Sequence, residues 1–506
     1  MSLKSLLSRP IARIAAARES KKARDAQSSQ KRLLQQLLQK GQATAFGRDH
    51  GLQPGMSFKQ FQAAVPVRDY EELKPWVQRA VKGEADVLWP GLPDYFCKTS
   101  GTTSGAKYIP ITPDSMPNHI GSARNALLQY IYNAKNARFV DGKMIFLQGS
   151  PELSKTEGGI LMGRLSGIVA HHVPDYLQAN RLPSFEANCT EPWEAKVNAI
   201  VEETKDQDLR LISGIPSWVQ NYFERLLEVT GASHVKEVFP NFELFVFGGV
   251  AFEPYRERFR TLIGGDVDTV ELFPASEGFF AYQDQLNNPG LRLNVDDGIF
   301  YEFIPAGEYF DENRRRLALH EVELGVQYAL IITSNAGLWC YDIGDTIKFV
   351  SEDPYRIVVT GRIKHFTSAF GEHVIAEEVE GALRDAMEAA GGVVTEFHVA
   401  PEVNPSEGLP FHEWFIEFSE LPKNLAAFSE AVNEGVIQRN PYYRDLISGS
   451  ILRNAQLRLL EKGAFHQAMA NRGKLGGQNK PPRLANGRDF AKDLERAETT
   501  LKKESN

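Results

Sequence analysis

Cysteine is scarce in this chain of 506 residues: Cys97, Cys189 and Cys340 stand far apart, an odd count with no C-x-x-C pair. That pattern excludes a disulfide framework and a thiolate zinc site, and it fits a reducing compartment. Long apolar runs are missing too. None approaches the roughly 18 residues of a membrane-spanning helix, and "FELFVFGGVAF" is short and already interrupted by Glu243. An excess of positive charge is also lacking: 57 Lys and Arg against 65 Asp and Glu leave a formal net charge of -8. Sequence-independent nucleic-acid binding is therefore not the main function. The expectation is a cytoplasmic, soluble protein working on small molecules, with neither nucleic acid nor membrane as partner. Its oligomeric state is left open, with a monomer favoured.

What is present is ordinary globular composition, 42% hydrophobic and 24% charged, in a chain long enough for two to four domains or subdomains. The first residues, "MSLKSLLSRPIARIAAARESKKAR", are basic and poor in acids, loosely like an organellar transit peptide. Glu19 and Asp25 weaken that reading, and a partly exposed N-terminal helix is expected instead. Leu33, Leu34, Leu37 and Leu38 then form a helical stripe that should stop at Gly41. From residue 60 to about 350 the texture is α/β. "KMIFLQGS", "LRLISGIPSWV", "FELFVFGGV" and "YALIITS" each read as a buried strand that delivers a turn at its end. Such turns are where α/β proteins place ligands. Pro216 and Ser217 should start a helix that Gly231 stops.

From Glu271 to about Gly361 short strands dominate, which predicts a small antiparallel sheet or barrel. Val379, Leu383 and Met387 then mark one face of a helix that Gly391 ends. The expected architecture is a large N-terminal α/β domain over residues 1–361, with mixed sheets, helices and a β-barrel-like part. A smaller, mobile α+β domain follows over residues 362–506, with a hinge near 362–364.

Three segments carry candidate chemistry. "KTSGTTSGAKYIPIT" offers consecutive backbone N–H groups, hydroxyls and Lys107, the parts of a phosphate-cradling nest. It is not a Walker A loop, which requires G-x-x-x-x-G-K-[ST] leading into a helix. Here Ala106 separates Gly105 from Lys107, and "YIPIT" suits a strand. Alone, such a segment is equally an exposed Ser/Gly turn. "ELFPASEGFFAYQ" sets Glu277 beside Ser276 among aromatic residues, where a carboxylate can hold Mg²⁺ together with substrate phosphates; alone, it is equally core aromatics with a surface acid. "YDIGDTIKF" places Asp345 at a Gly turn just before a strand, where it can accept hydrogen bonds from ribose hydroxyls or simply close a tight turn. His171, His172, His365 and His373 are read as without a chemical role.

The ordered set "TSGTTSGAK", "FGGVAFEPY", "LFPASEG", "YDIGD" and "TGRIKHFTSAFGEHVIAEEVE" resembles the adenylate-forming superfamily of acyl-CoA synthetases, nonribosomal peptide adenylation domains and luciferases. Within it, "GIPSWV", the full loop above, "NPYYRDL" followed by "GAF", and "GGQNKPPR" resemble the Gretchen-Hagen family of auxin-responsive acyl acid amido synthetases, in its bacterial branch. The likeness runs from Leu33 to Arg483. It implies that Ser100, Gly101, Thr102, Thr103, Ser104, Gly105 and Lys107 wrap the phosphates of ATP. It also implies that Gly248 and Gly249 lie against adenine, with Phe273 stacking where Tyr is usual and Ser276 beside it. Glu277 would meet Mg²⁺, Asp345 and Arg362 the ribose, and Lys480 would be the mobile catalytic lysine, with Lys474 close by and Asn479 where plant members carry Tyr. Arg362 and Lys364 would form the hinge. The activity implied is adenylation of a small carboxylic acid followed by transfer to an amino acid. A coenzyme A ligase and a non-catalytic nucleotide-binding scaffold are the alternatives.

Overall fold

Apolar runs that end in a Gly, Ser or Thr turn do become strands. Lys143–Phe146, Leu209–Ser213, Leu244–Gly248 and Asp268–Ala275 are successive parallel neighbours. In a computed structural model the described residues are 3–504, except 101–105, 173–178, 191–192, 250–251, 253–254, 287, 289, 364–365, 368–369, 371, 373, 403–404, 449–451, 475–479 and 486. The parallel strands are apolar on both faces because helices cover both. Leu244, Val246 and Val270 pack with Ala126 and Tyr130 of the helix Met116–Ala134. Phe245 and Phe247 point the other way, into a cluster with Tyr222, Phe223 and Leu226 of the helix Pro216–Thr230.

After Ala275 the sheet changes polarity. Gly278–Tyr282 runs antiparallel to Asp268–Ala275 and pairs on its other side with Leu291–Leu293. From there the ladder continues through Tyr355–Arg362, Tyr341–Glu352, Gln327–Ser334 and Ile299–Pro305. The strands expected between residues 271 and 361 are thus present, but not as a separate sheet. Gly278–Tyr282 is hydrogen-bonded on both sides and leaves no edge between the two parts, so one sheet of eleven strands results.

The chain divides into two compact units, Met1–Ile343 with Ile347–Val358, and Gly344–Thr346 with Val359–Asn506. In the second, Val393–Glu402, Phe411–Glu420 and Gln456–Leu460 form a three-stranded mixed sheet. Helices Ala376–Ala390 and Leu425–Arg439 cover one face through Val379, Leu383, Phe428 and Val432. These two helices cross closely, since a Cβ on Gly435 would sit 2.7 Å from Ala382 Cα. Phe465 and Leu494 pack against Phe415 in a second cluster.

Helix ends follow local chemistry. Leu3–Arg24 and Ala26–Gly41 are the two N-terminal helices, and the leucine stripe of the second is buried. The helix from Pro216 ends at Gly231, whose φ of 69° suits glycine in the left-handed region.

A buried ion pair secures the first unit. The fully buried carboxylate of Glu302 accepts from Arg316 Nε and Nη2, both at 2.9 Å. Arg316 Nη1 donates to the carbonyls of Gln62 at 3.0 Å and Val65 at 2.7 Å. The segment Phe58–Ala64 is thereby tied to the strand Ile299–Pro305. Glu302→Ala leaves the guanidinium without its counter-charge, and urea denaturation should show a loss of about 3–5 kcal/mol. Glu302→Gln, whose amide oxygen still accepts from the guanidinium although its NH2 cannot, should lose less.

Candidate active site

Strands Tyr95–Ser100 and Ala106–Ile111 form an antiparallel hairpin in register from Tyr95 with Ile111 to Ser100 with Ala106. The Gly-rich segment falls between these two strands in sequence, so it leads into a strand and not a helix. Gly101, Thr102, Thr103, Ser104 and Gly105 lie outside the described residues, as does the side chain of Ser100. Lys107, paired with Thr99, carries its Nζ 5.6 Å from the centre of the Tyr70 ring.

The polarity reversal is the turn that holds Ser276 and Glu277, at the C-terminal end of Asp268–Ala275. Three side chains hold it. Cys97, on the hairpin strand, donates its thiol to Ser276 Oγ at 3.0 Å. Asn118, near the start of the helix Met116–Ala134, grips both backbone groups of Phe279: Oδ1 accepts from its N–H at 2.7 Å and Nδ2 donates to its carbonyl at 3.1 Å. Asn294 donates to the same carbonyl at 3.0 Å and to Ser122 Oγ at 3.0 Å. Gly278 has no room for a side chain, as its Cβ would lie 2.5 Å from Ile299 Cδ1. Gly248, at the end of the neighbouring strand, faces the Leu272 carbonyl, 2.6 Å from where its Cβ would be, and Gly249 follows with φ of 79°. Phe273 is only 6% exposed and meets Phe280 edge-on at 5.1 Å, so its ring belongs to the packing beneath the turn.

Burial weighs against charge on three groups near this turn. Burial pushes the Cys97 thiol up to about 12, with the Ser276 hydroxyl pulling down and the Glu277 charge adding a smaller push upward. Burial alone holds His119, next to Asn118, down at about 4. Its Nδ1 has no hydrogen-bond partner among the described residues. Burial also lifts Glu271, on the strand that leads to the turn, to about 7. Among the described residues no three His, Cys, Asp or Glu side chains converge on one point. A lone carboxylate such as Glu277 fits Mg²⁺ only where phosphates supply further ligands.

In the second unit Asp345 lies within the strand Tyr341–Glu352 and not before it. The strand runs through the Gly turn because Gly344, at φ of 80°, absorbs the irregularity. Its carbonyl accepts from Ile363 N–H at 2.8 Å, and Thr360 Oγ1 donates to Thr346 Oγ1 at 2.9 Å. Arg362 ends the strand Tyr355–Arg362, but its side chain and all of Lys364 lie outside the described residues. Lys480 is exposed. Burial raises the carboxyls of Glu380 and Glu396, and Arg483 followed by lesser contributions including Lys480 pulls both back. Lys474 is exposed just past the helix Ala464–Asn471, its N–H donating to the Met469 carbonyl at 2.9 Å, while Asn479 lies outside the described residues. His171 and His172 make structural contacts, with the Pro151 carbonyl at 3.0 Å and the Tyr95 hydroxyl at 3.2 Å. His365 and His373 lie outside the described residues.

The structure thus joins the loop hairpin and the Ser276–Glu277 turn. Sequence reasoning passed over Cys97, Asn118 and His119. The available signal was polar residues in otherwise apolar strand and helix faces beside two singled-out motifs.

Profiles of the GH3 family match three stretches: its N-terminal domain over residues 16–215, its central domain over 293–362 and its C-terminal domain over 377–489. Indole-3-acetic acid-amido synthetase GH3.3 of Arabidopsis thaliana is 21% identical over 540 residues, covering 90% of this chain and 88% of its own. Jasmonoyl--L-amino acid synthetase JAR4 of Nicotiana attenuata is 22% identical over 394 residues, covering 64% and 67%. Among solved structures, AtGH3.15 acyl acid amido synthetase in complex with 2,4-DB superimposes with a TM-score of 0.78 at 15% identity, covering 96% of each chain. 2-Hydroxyisobutyryl-CoA ligase in its postadenylation state gives a TM-score of 0.62 at 15% identity, covering 94% and 93%.

Two stability measurements check this geometry. Asn118→Ala strands the buried Phe279 N–H, and denaturant titration should show a loss of about 2 kcal/mol. His119 is neutral when folded and free to protonate when unfolded, so the unfolded chain binds more protons between its ordinary value of 6.5 and about 4. Wild-type stability should therefore fall with pH through that window. The His119→Leu protein, lacking the titration, should gain on wild type by about 3 kcal/mol between pH 7 and pH 4.

Proposed function

Because this chain belongs to the GH3 family, we propose that it is an ATP-dependent acyl acid amido synthetase that joins a small carboxylic acid to an amino acid. The observation that carries the reading is the Cys97–Ser276 hydrogen bond. It sets the base of the Gly-rich hairpin against the turn that bears Glu277, at the C-terminal ends of parallel strands, where open α/β sheets bind nucleotides.

In the first half-reaction a carboxylate oxygen of the acid attacks the α-phosphorus of ATP, and the bond to the β-phosphate oxygen breaks. Acyl adenylate and pyrophosphate result. The backbone N–H groups of Ser100 to Gly105, with Lys107, are assigned to the phosphates, where preorganised donors stabilise charge as it develops. Lys480 is assigned to the α-phosphate and the attacking carboxylate. Gly248 and Gly249 let the backbone approach the base. Asp345 and Arg362 are assigned to the ribose. Phe273 is assigned to the adenine site as support for the turn from below. Glu277 and the phosphates would hold Mg²⁺, which supplies positive charge to the departing pyrophosphate. In the second half-reaction the amine nitrogen attacks the acyl carbon, and AMP leaves with the electrons of the C–O bond. The two steps ask for different groups around one carbonyl. A hinge at Arg362 to Lys364 would exchange them.

Carboxylate-dependent exchange of labelled pyrophosphate into ATP tests the first step, and hydroxamate trapping across a panel of acids identifies the acid. Amide formation with amino acids is the expected second step. Acyl-CoA without amide from the same acid would establish the coenzyme A alternative, and no exchange with any acid would leave only the scaffold. Asp345→Ala should raise the KM for ATP at least tenfold with a smaller change in kcat. Lys480→Ala should lower kcat of adenylation on the order of a hundredfold, whereas Lys474→Ala should match wild type. A reversal of those two lysine results would transfer the role to Lys474.

A further inference from the structure

The N-terminal helix Leu3–Arg24 carries more than packing requires. At 100° per residue, Ser5, Ala12, Ala16 and Glu19 share one face, and all four are buried. Ser5 Oγ donates to the Ala137 carbonyl at 3.0 Å, and Asn125 Nδ2 donates to Glu19 Oε1 at 3.2 Å. Opposite that face, Leu7, Ile11 and Ile14 recur at i, i+4 and i+7 with exposures of 53%, 54% and 71%, and Leu6 beside them is 60% exposed. Ile14 is the most exposed large apolar side chain among the described residues. A stripe of this kind is not explained by the fold, because no described element covers it.

Charge says what would cover it. Lys4, Arg18 and Lys21 are exposed on the same side of the helix as the stripe, while Arg9, whose Nη2 donates to the Lys135 carbonyl at 3.1 Å, lies toward the buried face. No carboxylate occurs from Leu3 to Arg18. The first one, Glu19, is turned inward to Arg292 at 3.4 Å and to Lys22 at 3.3 Å. Cations are thus gathered on one helix in a chain whose net charge is -8. We propose that the outer face of this helix docks flat on an anionic lipid bilayer, its four apolar side chains entering the boundary between headgroups and acyl chains while the Lys and Arg side chains pair with lipid phosphates. Apolar insertion and attraction to anionic lipid add in this geometry. The helix lies on the membrane and does not cross it: among the described residues no helix is long and apolar enough to span one. A second copy of the chain is a poorer occupant, since two such faces pressed together would oppose Arg18, Lys21 and Lys4 with their own copies. The expectation of no membrane partner rested on the absence of a spanning run, which does not bear on a surface helix.

The test is co-sedimentation of the full-length protein with vesicles of 30% phosphatidylglycerol in phosphatidylcholine. Binding is expected, at least tenfold tighter than to pure phosphatidylcholine, and weakened at least tenfold by 0.5 M NaCl. The triple variant Leu7→Ser, Ile11→Ser, Ile14→Ser and the triple variant Lys4→Gln, Arg18→Gln, Lys21→Gln should each lose most of the binding. The control Leu421→Ser, equally exposed in the other unit, should keep it. Vesicles should also slow hydrogen exchange of the Leu3–Arg18 amides. Failure of the wild-type protein to bind anionic vesicles, or binding that both triple variants retain, overturns the proposal. So does a dimer in solution that the serine variant dissociates, which would make the stripe an interface between copies.

Discussion

One constraint organises the first unit: a parallel sheet must reverse polarity at a single turn and still keep every buried backbone group paired. The reversal falls between Ala275 and Gly278. The register slips there, between Phe279 and Ala281, so the strand ladder alone leaves Phe279 short of partners. Asn118 supplies them, using its acceptor and its donor on one residue. A primary amide is the side chain that can do both at once, and a buried N–H left unpaired would cost as much as a lost hydrogen bond. Because the clamp is local, the half-buried product of the reversal, the Ser276–Glu277 turn, is carried on rigid scaffold. Site geometry held by packed elements is what preorganised electrostatics requires.

Around that turn burial weighs against charge, and it keeps Cys97 and His119 neutral. Cys97 holds its proton, and His119 lacks one across the neutral range. Glu271 sits near the point of half-protonation at neutrality. Each is the result of burial more than of a neighbouring charge, which describes an apolar floor. In such a floor a charge at the rim is screened less than in water. Glu277 and Lys107 are therefore more effective there than the same residues on an open surface.

How much of this was legible in the sequence divides along the distance over which each feature is decided. Helix ends were legible where capping is local, as at Gly231 and Gly391, whereas Gly41 is the last helical residue before its cap Gln42 and its lack of a side chain serves the close approach of Trp339. The strands were legible as short apolar runs, and a mixed α/β architecture followed from their alternation with helical patterns. Their pairing was not, because nothing near Gly278 announces that Gly278–Tyr282 will bond on both sides and merge two sheets into one. The motifs around Lys107, Glu277 and Asp345 could be read as motifs since each is contiguous. Their supports could not: Asn118 and Phe279 are 161 residues apart, Cys97 and Ser276 are 179 apart, and a side chain that serves a distant backbone amide leaves no spacing to count.

Asp345 shows where sequence distance misleads about which body a residue belongs to. By position it precedes the expected boundary at residue 361, and its strand continues the large sheet. By contacts, Gly344–Thr346 groups with Val359–Asn506. The hydrogen bonds from Ile363 to Gly344 and from Thr360 to Thr346 are what bind it there. Gly361, at φ of 137°, has its Cβ position 3.1 Å from that of Ala376, so its lack of a side chain makes room for the start of the helix Ala376–Ala390. A boundary that crosses the strand Tyr341–Glu352 twice and the strand Tyr355–Arg362 once is not a simple linker. Glycines at 344 and 361 give the backbone freedom where the crossing occurs, and paired hydroxyls give it a definite register. If the second unit turns during the reaction, Asp345 is coupled to it by these bonds, and a residue assigned to the ribose would report the movement directly to the nucleotide.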